Sequence, residues 1–367
     1  MKNDLYNIWY EQYKKKLVEQ NVQPWKVSIT DRIEFKRCPR RWKYSSLTNM
    51  GLESNTPSAK YLLGTIIHKC LEFYYKEKAT FECIDGLYHS LWKDALKVFM
   101  ESPFGKGART DAVNQIPLGE SMLEEYIKFA SHDRWRVIAT EFEFEYPLIM
   151  LGGSPILFRS WAYDYGFNPT LVGKIDLIVY DEAVRQYMIV DHKTSSCKID
   201  SASLEWDDQL SIYLWCMNRM RKINFLGCYN QLRKKIPIVP KILKNGNLSK
   251  DKSIDTTHNI YLNAIKENKL NEEDYEDILK ILSTKENTFQ QRHFMSLKLN
   301  QKPIIELQLK RELAIMFAVW KQGFFYSSPD TMNCGWSCDF KALCRSENMS
   351  ASLNTNLVEE YYHRRDQ

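Results

Sequence analysis

Residues 172–194 read VGKIDLIVYDEAVRQYMIVDHKT, and three side chains among them can handle a metal ion or a phosphate: Asp176, Asp191 and Lys193. Two apolar runs flank the charged turn Asp181–Gln186, the pattern of a β-hairpin or of two adjacent strands. Side chains alternate along a strand, so Asp191 and Lys193 project together, with Ile189 extending the same face. Asp176 is embedded among Ile175, Leu177, Ile178 and Val179. A carboxylate there is costly to bury unless it is paired or holds a metal. The ordinary alternative is that Asp176 caps a turn and Asp191 marks a strand end. Two carboxylates and an ammonium at one end of a sheet suit phosphodiester hydrolysis. The carboxylates hold a hard divalent ion, which polarises phosphate and acidifies water. The ammonium orients that water or offsets charge in the transition state.

Four further positions offer matching chemistry. His68 lies in AKYLLGTIIHKCLEFYYKEK, where Leu63, Ile67, Leu71 and Tyr74 have helical spacing. Its neutral imidazole can complete a metal shell, or it is a satisfied residue at the helix boundary. Gln209 and Tyr213 lie one helical turn apart and face the same side. They can fix a water or grip a nucleic-acid backbone, or pair at a helix surface. Glu141 alternates with Glu143 and Glu145 in ATEFEFEY, and two of the three can simply coat a solvated face.

The elements that must position these groups follow from periodicity. A helix is expected over residues 1–23, and a second over Ser28–Trp42 that stops near Cys38–Pro39. A polar stretch, Gly51–Lys60, leads into the His68 helix, and another helix covers Ile84–Phe99. The segment ESPFGKGART reads as a turn before a helix around Leu118–Ala130. The period then drops to two over Val137–Leu148, with Ile156–Trp161 as its candidate partner. After the 172–194 hairpin come a helix over Asp207–Met220 and a strand over Asn224–Leu232, which ends in the basic cluster Arg233, Lys234 and Lys235. Residues 236–290 read as an irregular insertion with one short helix. Phe289–Gly323 supplies a strand and a long helix. The expected fold is α/β.

Composition bounds the answer. At 367 residues the chain can bury a full core, and 44% hydrophobic with 26% charged residues is a globular balance. The net charge of +5 allows an anionic partner without requiring one. No apolar run approaches a membrane span, so no membrane association and a cytoplasmic location are expected. Nine cysteines are too few and too scattered for a secreted disulfide scaffold. Cys70, Cys83, Cys197, Cys216 and Cys228 lie singly, as small buried hydrophobes do. Cys334, Cys338 and Cys344 crowd into NCGWSCDFKALC, and Cys38 stands apart in FKRCPRRWKY.

Taken in order, GTIIHKCLE, ATEFEFEY, VGKIDLIV, IVDHKT and DDQLSIYLW resemble the PD-(D/E)XK nuclease superfamily, in its RecB-like, Cas4-like and AddB-like exonuclease branch. The resemblance places the first acid at Asp176, the second at Asp191 and the lysine at Lys193. It places the QxxxY pair at Gln209 and Tyr213, the GxxxH pair at Gly64 and His68, and the glutamate of the first core strand at Glu141. Members with an iron–sulfur cluster use one cysteine before the core and three after it, as Cys38 and then Cys334, Cys338 and Cys344 are arranged here. Four thiolates suit a 4Fe–4S cluster or a tetrahedral zinc site, or they remain free thiols. Three residues separate Cys334 from Cys338, where the family usually has two.

The resemblance implies a restriction-endonuclease-like central mixed sheet flanked by helices, with the helical ends joined by the cysteine metal site. Its parts are an N-terminal helical region (1–135), the nuclease core (136–235), an insertion (236–300) and a C-terminal helix with the cysteines (301–367). Mg²⁺ or Mn²⁺ sits on His68, Asp176 and Asp191. The implied activity is metal-dependent exonuclease cleavage from ends of single-stranded or frayed DNA, in phage or mobile-element recombination and DNA processing. Its location would be the host cytoplasm if the protein is phage-encoded. DNA contacts are expected from Arg37, Arg40, Arg41, Lys43, Arg233, Lys234 and Lys235, with Trp42, Tyr44 and Trp336 as candidate stacking rings. No GxxxxGK(S/T) motif is present, so translocation powered by this chain is excluded, and a helicase or recombination protein is a candidate partner. The alternative is a non-catalytic DNA-binding subunit of a helicase–nuclease or recombination complex.

Overall fold

Ser28 begins the first helix with a reciprocal cap. Its hydroxyl accepts the Asp31 N–H at 2.9 Å, and the Asp31 carboxylate accepts the Ser28 N–H at 2.9 Å. That helix, α1 (Ile29–Arg37), follows strand β1 (Gln23–Ser28) and ends at Cys38, whose backbone is extended. Pro39 has no N–H to continue it and instead opens α2 (Pro39–Ser45). The computed structural model describes residues 15, 23–55, 58–101, 105–148, 167–200, 204, 207–285, 287–350 and 352–365. The helix expected over 1–23 falls almost wholly outside these residues, as does the strand expected over Ile156–Trp161.

The chain continues through β2 (Leu52–Ser54), α3 (Ala59–Glu77), α4 (Phe81–Glu101), α5 (Gly105–Ala130) and β3 (Trp135–Pro147). The central strands β4 (Phe167–Asp181) and β5 (Gln186–Ser195) are followed by α6 (Asp208–Arg221) and β6 (Leu226–Arg233). Next come α7 (His258–Glu267), α8 (Glu276–Thr284), β7 (Gln290–Met295) and α9 (Gln301–Gln322). The C-terminal part holds α10 (Thr331–Trp336), α11 (Lys341–Ser350), α12 (Thr355–Tyr361) and β8 (Tyr362–Arg364). Helix α5 begins within the segment read as a turn. Pro117 lies inside it, and the Tyr88 hydroxyl of α4 donates to the Ile116 carbonyl at 2.8 Å.

The six-stranded sheet is mixed. It runs β1–β4–β5–β6–β7, with β3 along the other edge of β4. Strands β1 and β4, and β5 and β6, are parallel; the remaining pairs are antiparallel. The period-two pattern sorts the central side chains. Leu177, Val179, Met188 and Val190 pack under α3, α4 and α5, whereas Ile178 and Ile189 pack under α1, α6 and α9. The region after β6 has a small core of its own around Leu248, Tyr261, Tyr275 and Ile278. It then returns to the sheet as β7.

The expected cysteine staple between the two ends is corrected by the structure. Cys38, Cys334, Cys338 and Cys344 line one cavity of about 480 Å³. However, no three of their sulfurs lie within 4.8 Å of one another, as the thiolates of a tetrahedral zinc site do, and the donors that converge to that distance among the described residues are instead Asp85, His89 and Glu120. Individual sulfurs take separate hydrogen-bond partners: Cys38 accepts the Ser328 N–H at 3.4 Å, and Cys334 accepts the Asp330 N–H at 3.4 Å. The ends are held by other means. Strands β2 and β8 pair antiparallel, the Tyr44 and Tyr362 rings flank Phe340, and Lys43 and Tyr44 bind Glu347.

Candidate active site

The site lies where two strands separate. Strands β4 and β5 pair from Asp181 opposite Gln186 to Leu177 opposite Val190, and the ladder stops there. Strand β1 borders the same edge of β4 only as far as Val172. Asp176 stands in the gap. Its Oδ2 accepts the main-chain N–H of His192 at 2.8 Å, so a carboxylate takes a β5 amide beyond the end of the ladder. Helix α3 approaches closely here, since a Cβ added at Gly64 would meet Thr194 Oγ1 at 3.3 Å. It brings His68 Nδ1 to 3.5 Å from Asp176 Oδ2.

On β5, the Lys193 ammonium lies 3.0 and 2.8 Å from the two oxygens of buried Asp191. It donates with good geometry to Oδ1, which leaves Oδ2 with the ion pair and no hydrogen bond. Lys193 also donates to Gln209 Oε1 at 3.1 Å, and Gln209 Nε2 donates to the Tyr213 hydroxyl at 3.3 Å. Asp207 caps the helix that carries this pair by accepting the Leu210 N–H at 2.8 Å. Asp176, Asp191, Lys193, His68, Gln209 and Tyr213 are therefore brought together by four elements.

The electrostatics match the geometry. Burial, with Asp176 nearby, pushes the Asp191 carboxyl up to about 6 against the pull of Lys193. For Asp176, burial acts upward but is outweighed by the hydrogen bond from His68 and its charge, which hold the group below the usual carboxylate range. His68 is correspondingly raised: burial opposes protonation, and the contact with Asp176 overcomes it. Burial likewise opposes the charge on Lys193, yet the Asp191 carboxylate holds its pKa above the ordinary lysine value. Burial pushes the Tyr213 hydroxyl up to about 12.

The structure does not bring every expected residue to this point. Glu141 adopts a left-handed backbone with φ 46°, and its carboxylate pairs with Lys174 at 2.5 Å. Glu145 pairs with Lys26 at 2.5 Å. Arg37, Arg40 and Arg41 are engaged with the C-terminal segment through Asn333, Asn348 and Ser337. Trp42 and Tyr44 are buried and pack on Phe325 and Phe340. By contrast, Arg233 lies opposite Ser195 in the parallel β5–β6 pair, and the Lys234 N–H donates to the Ser195 carbonyl at 2.8 Å. The Arg233–Lys235 cluster thus borders the strand end that carries Lys193.

Sequence reasoning missed two features. One is His192, buried between the two catalytic candidates, with Asn230 of β6 against it at 2.7 Å. Paired polar residues inside the apolar strand GCYNQL were its signal. The other is a set of three donors, Asp85 and His89 on α4 and Glu120 on α5, whose ligand atoms all lie within 4.8 Å of one another. An i, i+4 Asp–His pair was legible there. This Asp/His/Glu set can take a divalent ion; His68, Asp176 and Asp191 are not drawn together as tightly.

A family model for the PD-(D/E)XK nuclease superfamily matches residues 26–345. The chain belongs to that superfamily. No significant match to a curated protein was found. The narrower expectation, a branch defined by four cysteines and an iron–sulfur or zinc site, is corrected, because the donors that converge among the described residues are carboxylates and a histidine. As a superfamily member, the protein presents at the fork between β4 and β5 a donor set suited to a divalent cation. Asp176 and Asp191 supply oxygen, His68 supplies nitrogen, and the buried Asp191 Oδ2 lacks a hydrogen bond.

Proposed function

We propose that the protein is a metal-dependent deoxyribonuclease that removes nucleotides from ends of single-stranded or frayed DNA. The observation that carries this reading is the meeting of Asp176, Asp191 and Lys193 at the parted strands, with Gln209 holding the ammonium. His68, Asp176 and Asp191 would hold Mg²⁺ or Mn²⁺, which supplies Lewis acidity toward a phosphate oxygen and water of lowered pKa. Lys193, fixed between Asp191 and Gln209, offsets the charge that develops on the phosphoryl oxygens. Tyr213 anchors Gln209 from behind. Arg233, Lys234 and Lys235 hold the backbone of the strand beside the site without reading its bases.

The test is digestion of end-labelled single- and double-stranded DNA, with free and blocked ends, in Mg²⁺ or Mn²⁺. Asp191→Ala is expected to abolish cleavage while retaining most DNA affinity. Lys193→Ala should lower kcat by roughly 10²–10³-fold with little change in KM, as loss of a charge-stabilising donor does. Full activity in folded Asp191→Ala would remove the site from consideration. Equal cleavage of blocked and free ends would replace the exonuclease reading with an endonuclease.

A further inference from the structure

Behind the site, a file of polar side chains crosses three strands. Asp133, just ahead of β3, accepts both terminal nitrogens of Arg292 at 2.5 and 2.7 Å. Arg292, on β7, lies 4.1 Å from the centre of the Trp135 ring and donates from Nε to Asn230 Oδ1 at 3.2 Å. Asn230, on β6, is fully buried; its Nδ2 donates to the Tyr126 hydroxyl at 2.8 Å and to His192 Nδ1 at 2.7 Å. The Tyr126 and Tyr75 hydroxyls share a hydrogen bond of 2.6 Å.

This file fixes His192. Accepting at Nδ1 leaves the proton of the neutral imidazole on Nε2. Tyr75 stacks on the ring at 5.9 Å and Tyr126 meets it edge-on at 6.0 Å. The same ring meets the His68 ring at 6.1 Å, in a T-shaped contact. The main chain of the same residue donates its N–H to Asp176. One buried histidine therefore touches two of the three groups assigned to the ion. Stability alone does not call for such a file, because apolar side chains of similar shape fill a core at comparable free energy without the cost of burying polar groups.

We propose that Asn230, backed by Arg292 and Asp133, is a positioning residue for the cation site. It locks His192 so that the ring and main-chain amide hold His68 and Asp176 in the geometry that accepts the ion. The proposal rests on the metal-dependent reading above and extends it to residues that touch neither ion nor DNA. Loss of such an outer partner characteristically weakens metal binding by roughly 10–100-fold.

The experiment is Mn²⁺ titration of the DNA-free full-length protein, read from the paramagnetic resonance of free Mn²⁺. All proteins carry Glu120→Gln, so that the Asp85/His89/Glu120 set does not contribute. Asn230→Leu is expected to raise the Kd by roughly 10–100-fold, while excess Mn²⁺ recovers activity at unchanged KM for DNA. Leu282→Ala, in the separate small core after β6, should lower Tm without moving the Kd. A folded Asn230→Leu protein with the parental Kd overturns the proposal and leaves the file a structural feature. Should Asn230→Leu fail to fold, Asp133→Asn cuts the file at its far end; a several-fold rise in Kd supports the proposal, and no rise overturns it. A parent that binds no Mn²⁺ overturns the metal-site reading itself, an outcome distinct from an unshifted variant.

Discussion

Residue types at the site are set against one another by burial. His192 is held neutral: burial pushes its pKa down from 6.5 to about 3. Below pH 6.5 the unfolded chain takes up a proton that the folded protein refuses, so this contribution to stability declines as pH falls from 6.5 toward 3. Asp191 acts in the opposite sense. Its pKa is raised from 3.8 to about 6, so its contribution is present below 3.8 and lost as pH rises through 6. Comparison with His192→Asn isolates the histidine. In urea unfolding without metal, the stability gap between parent and variant should be about 2 kcal/mol smaller at about pH 5 than at about pH 7.5. A gap independent of pH would mean that His192 is solvated in the folded protein. Asp176, Asp191 and Lys193 were legible as a group from their types, since a carboxylate inside an apolar strand needs a partner. His192 was not, because its role depends on Asn230, 38 residues away in sequence.

Elements place these residues through close approach as much as through pairing. Gly173 of β4 lies against α6 and β3: an added Cβ would meet the Phe144 ring at 2.6 Å and the Tyr213 ring at 2.8 Å. Both rings are buried and meet edge to face. Gly173→Ala should therefore cost about 1–3 kcal/mol by overpacking, read as a lower urea midpoint with unchanged slope. It should also displace Tyr213 from Gln209 and lower kcat. Unchanged stability would show that the sheet and α6 are free to separate. Strands β3 to β6 were legible in the sequence, whereas β1, β2 and β8, of three to six residues, were too short to show a pattern. The helix over Gly105–Ala130 was partly hidden, because Gly and Pro argue locally for a turn while packing against α3 and α4 outweighs them.

Across the whole molecule, the two ends are closed by side-chain packing and a short sheet. Phe340 lies between Tyr44 and Tyr362, with both ring separations at 5.5 Å, in a core separate from those of the main sheet. Phe340→Ala should cost about 3–5 kcal/mol of local stability. Hydrogen exchange should quicken in α11, α12 and β8, while β5 and α6 keep their protection. Equal loss of protection throughout would show that the ends and the sheet unfold as one unit.

The order of residue types was enough to establish an α/β chain, the strand pair around Asp181–Gln186, the helix break at Cys38–Pro39 and the candidate triad. Each rests on a local rule: side-chain period, the missing N–H of proline, or the cost of burying a charge. Packing settled the rest. Glu141 went to Lys174, Arg37 and Arg41 went to the C-terminal segment, and the cysteines took separate partners. A side chain's type states what it can bind, but which of several suitable partners it meets depends on contacts between segments far apart in the chain. No local pattern encodes those contacts.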